Sequence, residues 1–400
     1  KRSKLIEDRI STVNFDNYKK LLEKNNLILE DTISKFPIHM KTSDCKNLKQ
    51  TKFYLAGNMQ ISWPNDCNKI FLKDFNNESK FFLLSENVSM NKDQNFFLEK
   101  NFDNLSNNKN VEMISENNFI ISKNIEITKN THIPKDLNFL IKEGVVLSII
   151  KNSNLFIEGN IKIIGEDKNE VIIKSDGTGS LVFLNNKVEI KNMIVKNLGY
   201  PKFNRYIFYG GLNFINTKLN LENILIKNSQ SEDAINLVDS TSTLQNISLE
   251  NIESDAVDID FGSVKFSKII CIKIKNDCLD ISGSNIVGGD LNVDKSQDKG
   301  LSVGENSEVK INDIIVKNSK IGVAIKDGST VYLENFKSIN NQYDIAVFNK
   351  KKEFDIPSLE VKNFFNKNQK ILQSKSSNLI IDDVIFLGKH NNKDINSIIY

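Results

Sequence analysis

No apolar run in the 400-residue chain approaches the ~20 residues that a transmembrane helix needs, which excludes a membrane span. Neither sign of charge dominates. Lys+Arg 53 against Asp+Glu 51 leaves +2, too balanced for a nucleic-acid protein that relies on phosphate neutralisation. Arginine is nearly missing, with Arg2, Arg9 and Arg205 alone among the basic residues. Cysteine is scarce, and Cys45, Cys67, Cys271 and Cys278 form no metal motif, although Cys45 and Cys67 can pair in an oxidising compartment. The opening Lys1-Arg2-Ser3 lacks a methionine and a signal peptide, as expected of a fragment or a processed product.

What is present is a folding composition. Apolar residues at 39% and charged residues at 26% are incompatible with a disordered chain, and the length suffices for one large domain or two ordinary ones. Asparagine is about one residue in seven, a bias to which an AT-rich genome and an architectural demand can each contribute. Residues 1–115 read as a mixed α/β region. Phe15–Asn25 has the spacing of a short amphipathic helix with Tyr18, Leu21 and Leu22 on one side. Strands are expected near Lys52–Leu55, Lys69–Leu72 and Phe81–Leu84, then a polar connector over Asn91–Asn118. From 116 to 400 short Ile/Val/Leu runs alternate with Asn, Gly, Asp and Ser, a strand–turn texture.

That second region repeats. Ala234, Ala256, Cys278, Gly300 and Gly322 follow one another at a step of 22. Two apolar columns keep the same step: Ile235, Val257, Leu279, Leu301, Val323, and Leu237, Ile259, Ile281, Val303, Ile325. A second strand per repeat carries the column Asn192, Asn223, Asn246, Lys268, Asp290, Asp313, Asn335. Short strands at a 22-residue period with no helix predict a parallel β-solenoid whose turns stack ~4.8 Å apart, roughly ten turns in all. Asparagine tolerates left-handed turns, so its column reads as an amide ladder along the stack.

Alternation along a strand places residues 234, 236 and 238 outward if Ile235 and Leu237 face inward. Asn236, Asp258, Asp280 and Ser302 then form one outward column, beside Val238, Asp260, Ser282, Gly304 and Lys326. Asp258 and Asp280 would lie ~4.8 Å apart and Asp258 and Asp260 ~7 Å apart. Carboxylates that close can share a proton as an acid/base pair, hold a hard cation such as Ca²⁺, or remain a solvated face balanced by lysine. Asp233, Asp255 and Asp277, followed by Lys299, form a third column at a bend, where a carboxylate accepts a backbone N–H. Cys278 reads as a small packed residue. The step from Asn192 to Asn223 is 31, so one turn carries an insertion, rich in Tyr200, Phe203, Arg205, Tyr206 and Tyr209. Insertions in solenoids become loops, often on the binding face, and aromatics beside an arginine suit a sugar chain.

The ordered run SDGTGSLVF, SEDAINLV, SDAVDIDF, NDCLDISGS, DKGLSVGENS, VAIKDGS and NKKKEF resembles bacterial right-handed parallel β-helix proteins of the pectin-lyase-like superfamily. It is most similar to those in which the helix follows a CotH-like kinase domain, and the likeness covers about Asn118 to Tyr400. The resemblance implies a right-handed single-stranded parallel β-helix, with residues 1–115 a cap or the remnant of an upstream domain. It also implies polysaccharide as the partner. The catalytic sets of such lyases, hydrolases and epimerases each lack a part here, since the region's histidines, His132 and His390, sit at its ends and Arg205 is its only arginine.

Two functions are therefore expected. The first is a monomeric surface or extracellular β-helix, in the cell envelope or beyond it, that binds or scaffolds polysaccharide. The second is a polysaccharide lyase or glycoside hydrolase for an acidic glycan. It would use Asp258, Asp260, Asp280 and Lys299 for catalysis and Arg205, Tyr206, Tyr209 and Lys326 for substrate. Ca²⁺, if bound, would sit on Asp258, Asp260 and Asp280.

Overall fold

The computed structural model describes residues 102–400 apart from 201, 204–205 and 367–368, with backbone alone for 103–104, 202–203 and 206–207. Before them it describes the backbone of seven strands between 18 and 83. The chain divides into two compact units, Lys1–Glu99 with Asn204–Ile207, and Lys100–Phe203 with Phe208–Tyr400.

In the first unit the helix expected over Phe15–Asn25 is not formed. Tyr18–Glu23 is a strand, paired antiparallel with Asn26–Asp31 so that Leu21 stands opposite Ile28 and Leu22 opposite Leu27. A helix of three turns has little stability of its own, and the adjacent extended run offers ladder partners to the backbone groups on one side of the segment. Met59–Ser62 completes that sheet, and the expected strands near 52, 69 and 81 join Ile38–Thr42 in a second antiparallel sheet. Cys45 and Cys67 lie outside the described residues.

The second unit is a parallel β-solenoid of about 12 turns with a spacing of about 22 residues. The reading of roughly ten missed the turns before Asn154, whose strands, such as Ile125–Ile127 and Thr131–Ile133, are too short to announce a period. Each turn adds to a 17-stranded sheet and to an 11-stranded sheet. From Lys187 onward the strands of the larger sheet are 10 to 12 residues long for seven turns, and those of the smaller sheet at most six. The expected connector is partly structured: helix α1 (Asp103–Ser106) precedes the strand Val111–Ser115, which pairs antiparallel with Asn118–Ile121. At the far end Val384–Phe386 folds back on Asn378–Ile381 in the same sense. Both hairpins interrupt the parallel ladder where an open edge would otherwise invite pairing.

The stacking follows from the sequence columns. Ile235, Val257, Leu279, Leu301, Val323 and Ile345 are successive register partners, all fully buried, and Leu237 to Val347 form the parallel column. The amide ladder is present: the Asn223 side chain donates to Asn192 at 2.9 Å, Asn246 to Asn223 at 3.0 Å, and Asn335 to Asp313 at 2.9 Å. Two further corners per turn are also made by left-handed residues. One runs Asn197, Asn228, Asn251, Lys273, Lys295, Asn318, Asn340, and the other starts Asn185, Asn216, Asp239, Phe261, Gly283. Asparagine suits these corners because its short amide makes the left-handed bend cheaply and bonds the rung below.

One orientation differs from expectation. Ala234, Ala256 and Cys278 face the core and not outward, because the strand bends between this column and the next. The column must be small because it abuts the long strand of its own or the following turn. A Cβ on Gly300 would lie 2.7 Å from the Val316 methyls, and one on Gly322 would lie 2.9 Å from the Phe336 ring. Where the two facing positions are cysteines they are bonded: Cys271 and Cys278 form a disulfide with Cα atoms 5.9 Å apart. Cys278 is therefore more than a small packed residue.

Candidate functional site

The smaller sheet carries the carboxylates. Register pairs Asn236 with Asp258, Asp258 with Asp280, Asp280 with Ser302, and Asp260 with Ser282, so Asp258 and Asp280 are direct neighbours as their spacing required. They do not form a solvated face. Asp258 is 4% exposed, Asp280 7% and Ser302 fully buried, while Asp260 is half-buried. Lys326 is also buried, and its Nζ donates to the Ser302 hydroxyl at 2.8 Å.

The bend column behaves as expected of carboxylates at a turn. Asp255 accepts the Asp277 backbone N–H at 2.8 Å, and Asp277 accepts that of Lys299 at 2.9 Å. The Lys299 ammonium, fully buried, ends the column: it lies 3.4 Å from Asp277 and also pairs with Asp298. Glu232, Asp233 and Asp255 bring oxygens within 4.8 Å of one another, a hard donor set in type, although Asp233 accepts the Asn236 amide at 2.8 Å and Asp255 is committed to backbone.

The far end of this sheet is covered by helix α2 (Asn392–Ile399), whose Ile395 and Ile399 pack on Ile321, Ala324, Ala346 and Phe348. The helix begins where the Asn391 N–H donates to the Asp394 carboxylate at 3.3 Å. Beyond it the Tyr400 ring lies 4.1 Å from the Lys350 ammonium and 5.1 Å from that of Lys299. Burial of the phenol raises its pKa, but Lys326, Lys299 and Lys350 pull it the other way, to about 8. Asp239 moves in the opposite sense. Burial alone pushes its carboxyl up to about 6.

In the inserted loop Tyr209 is buried and stacks on Tyr200 with ring centres 6.1 Å apart. Arg205 and the Tyr206 side chain lie outside the described residues. His132 bonds Glu158 at 3.0 Å, a partner on the next turn.

Open concave surface lies instead on the larger sheet. A recess of about 850 Å³ runs across six successive strands, from Asn118–Ile121 to Thr241–Ile252, overhung by the exposed Ile114. Its centre line is Ile120, Leu140, Lys162, Glu189, Asn220 and Thr243, in register strand by strand. Beside it stand Asn118, Asn138, Asn160, Lys187 and Lys218. Asn160 donates to Asn138 at 3.1 Å, and Lys162 pairs with Glu189 at 2.7 Å. A second recess, of about 550 Å³, opens at the corner that leads into the smaller sheet, among Glu253, Lys273, Lys275, Lys295 and Lys320. Neither set was singled out from sequence, because outward polar positions need not repeat and leave no period. The only signal is the 22-residue frame itself, extended to the outward positions of the long strands.

No family model, curated protein or solved structure matches this chain. Its function must be read from its surfaces.

Proposed function

We propose that this chain is a parallel β-helix of the pectin-lyase-like kind that binds or scaffolds polysaccharide outside the cytoplasm. The observation that carries this reading is the long recess on the larger sheet. Six rungs at ~4.8 Å give it a length of about 24 Å along the stack, a trough for an extended polymer and not for a compact metabolite. An apolar stretch at Ile120 and Leu140 can take the C–H face of a sugar ring, and the flanking asparagine amides can donate to and accept from its hydroxyls. The Cys271–Cys278 bond supports an oxidising, extracellular or envelope setting. Among the described residues no helix is long and apolar enough to cross a membrane.

The enzymatic alternative, through Asp258, Asp260 and Asp280, is less favoured. A general acid or nucleophile must reach its substrate, and Asp258 and Asp280 are almost wholly covered; neither lines either of the two recesses described above.

The test is a binding survey of neutral and acidic polysaccharides by calorimetry, with Asn160→Ala, Lys162→Ala and Asn220→Ala combined as the altered trough. All three are exposed, so the variant folds. Loss of their hydrogen bonds is expected to weaken binding about tenfold or more. A wild-type chain that binds no polysaccharide, or a triple variant that binds as well as wild type, overturns the reading.

A further inference from the structure

We infer that the chain associates head to tail with further copies of itself, the strand Val384–Phe386 of one copy pairing with Val111–Ser115 of the next. The hairpins at the two ends of the larger sheet reverse its terminal strands but leave each with an open side. Among the described residues Val111–Ser115 pairs only with Asn118–Ile121, and Val384–Phe386 only with Asn378–Ile381. Neither strand contains proline or lysine, the usual guards of an open edge. Both edges are apolar where water reaches them: Met113, Ile114, Val384, Ile385 and Leu387 are each more than half exposed. Apolar side chains grouped on an open backbone edge mark an interaction surface.

The partner that fits is a second copy. Each terminal strand runs against the parallel strands of the sheet, so in solenoids stacked head to tail the two meet parallel to each other. Their faces then set the register. Val111 and Met113 stand opposite the buried Ile121 and Phe119, and Val384 and Phe386 opposite the buried Ile381 and Leu379. Core side over core side puts Val111 on Val384 and Met113 on Phe386. The backbone agrees. The Asn378 N–H donates to Pro357, so alternation leaves Ile381 and Leu379 to bond the hairpin and turns the N–H and C=O of Ile385 outward. The Asn138 N–H donates to Asn117, so Glu112 bonds its own hairpin while the Val111 C=O and the Met113 N–H point outward. In the parallel register Ile385 reaches both.

Charge selects the same register. It sets Lys109 opposite Asp382 at one end of the paired stretch and Glu116 opposite Lys389 at the other, all four exposed. A slip of two residues, the next that keeps the faces matched, loses both pairs. Pairing of either edge with its own copy leaves the other edge bare. The head-to-tail contact is heterologous and does not close, so copies add in a row. The monomer expected from the sequence is then the dilute form.

The experiment is sedimentation of the full chain at rising concentration, up to about 100 µM, where a weak complex is populated. Wild type is expected to grow past the dimer. Glu116→Lys and Lys389→Glu should each weaken association about fivefold or more, and an equimolar mixture of the two, which restores opposite charges at every junction, should recover it. Ile385→Pro removes an outward N–H and no hairpin bond, so it should abolish growth while the dilute chain keeps its melting temperature. A wild type that stays monomeric at about 100 µM overturns the inference. A dimer that grows no further and ignores Glu116→Lys shows the tail strand pairing with itself, and overturns the head-to-tail contact. Growth unaffected by Ile385→Pro places the contact elsewhere and overturns it too.

Discussion

Replacing Lys299 with methionine is expected to lower the stability of the solenoid by about 3–5 kcal/mol, on the order of 10 °C in melting temperature. The ammonium is fully buried, and so is its partner Asp277, 3.4 Å away. Methionine keeps most of the volume but leaves the Asp277 carboxylate without its cation, and Asp298 loses a second contact. Desolvating an uncompensated charge is the large term, so the effect should vanish when the charge goes too. Asp277→Asn can still accept the Lys299 backbone N–H now taken at 2.9 Å. The double variant is therefore expected to recover most of the loss. Equilibrium unfolding of the two single variants and the double variant measures the coupling. A neutral Lys299→Met, or a double variant no better than the single one, would show that the column is not held by this pair.

Removing the disulfide is the second large effect. Cys271 and Cys278 are seven residues apart, and the cross-link restricts the unfolded chain over that short loop by roughly 2.5 kcal/mol on the chain-entropy account. Cys271→Ala with Cys278→Ala is therefore expected to lose about 2–3 kcal/mol. Both positions are fully buried, so the folded protein resists reductant and the difference emerges only once it unfolds. With Cys45 and Cys67 replaced by Ala in both proteins, denaturation of the otherwise wild-type chain with dithiothreitol should approach the Cys271/Cys278 variant, and that variant should ignore the reagent. A wild-type curve unchanged by dithiothreitol would contradict the bond's contribution.

Much of the solenoid was legible because its geometry forces repetition. A rung that stacks on a rung must place an apolar residue over an apolar residue, so Ile235 to Val323 declare both the strand and its neighbour. The bend aspartates were equally readable, since Asp255 and Asp277 do accept the N–H of the next rung. What escaped was whatever the repeat does not constrain. Cys271 and Cys278 belong to two different columns, and only the bend that turns the Ala234 column inward brings them together. Helix α2 is eight residues long, with Ile395 and Ile399 as its whole buried stripe, too little for a period of 3.6 to stand out. Tyr18–Glu23 is a strand and not a helix because a partner that begins three residues beyond it outweighs a weak local helical pattern. At the site, the stacking of Asp258 under Asp280 was foreseen and their burial was not, because alternation says which way a side chain points and not what lies over it. Lys273 and Lys295 sat in plain view as departures from an asparagine column, but that column is defined by a positive φ rather than by burial, and only the backbone reveals it.

Thr243 and Lys265 are neighbours on consecutive turns, with Val287 one turn further, and this register defines the solenoid. Cysteines introduced at exposed sites report this directly, since a disulfide needs Cα atoms about 4.4–6.8 Å apart and two rungs are separated by ~9.6 Å. Thr243→Cys with Lys265→Cys should cross-link on mild oxidation, as read by peptide mapping. Thr243→Cys with Val287→Cys should not. A cross-link in the second pair and none in the first would mean that the chain does not wind with a 22-residue turn.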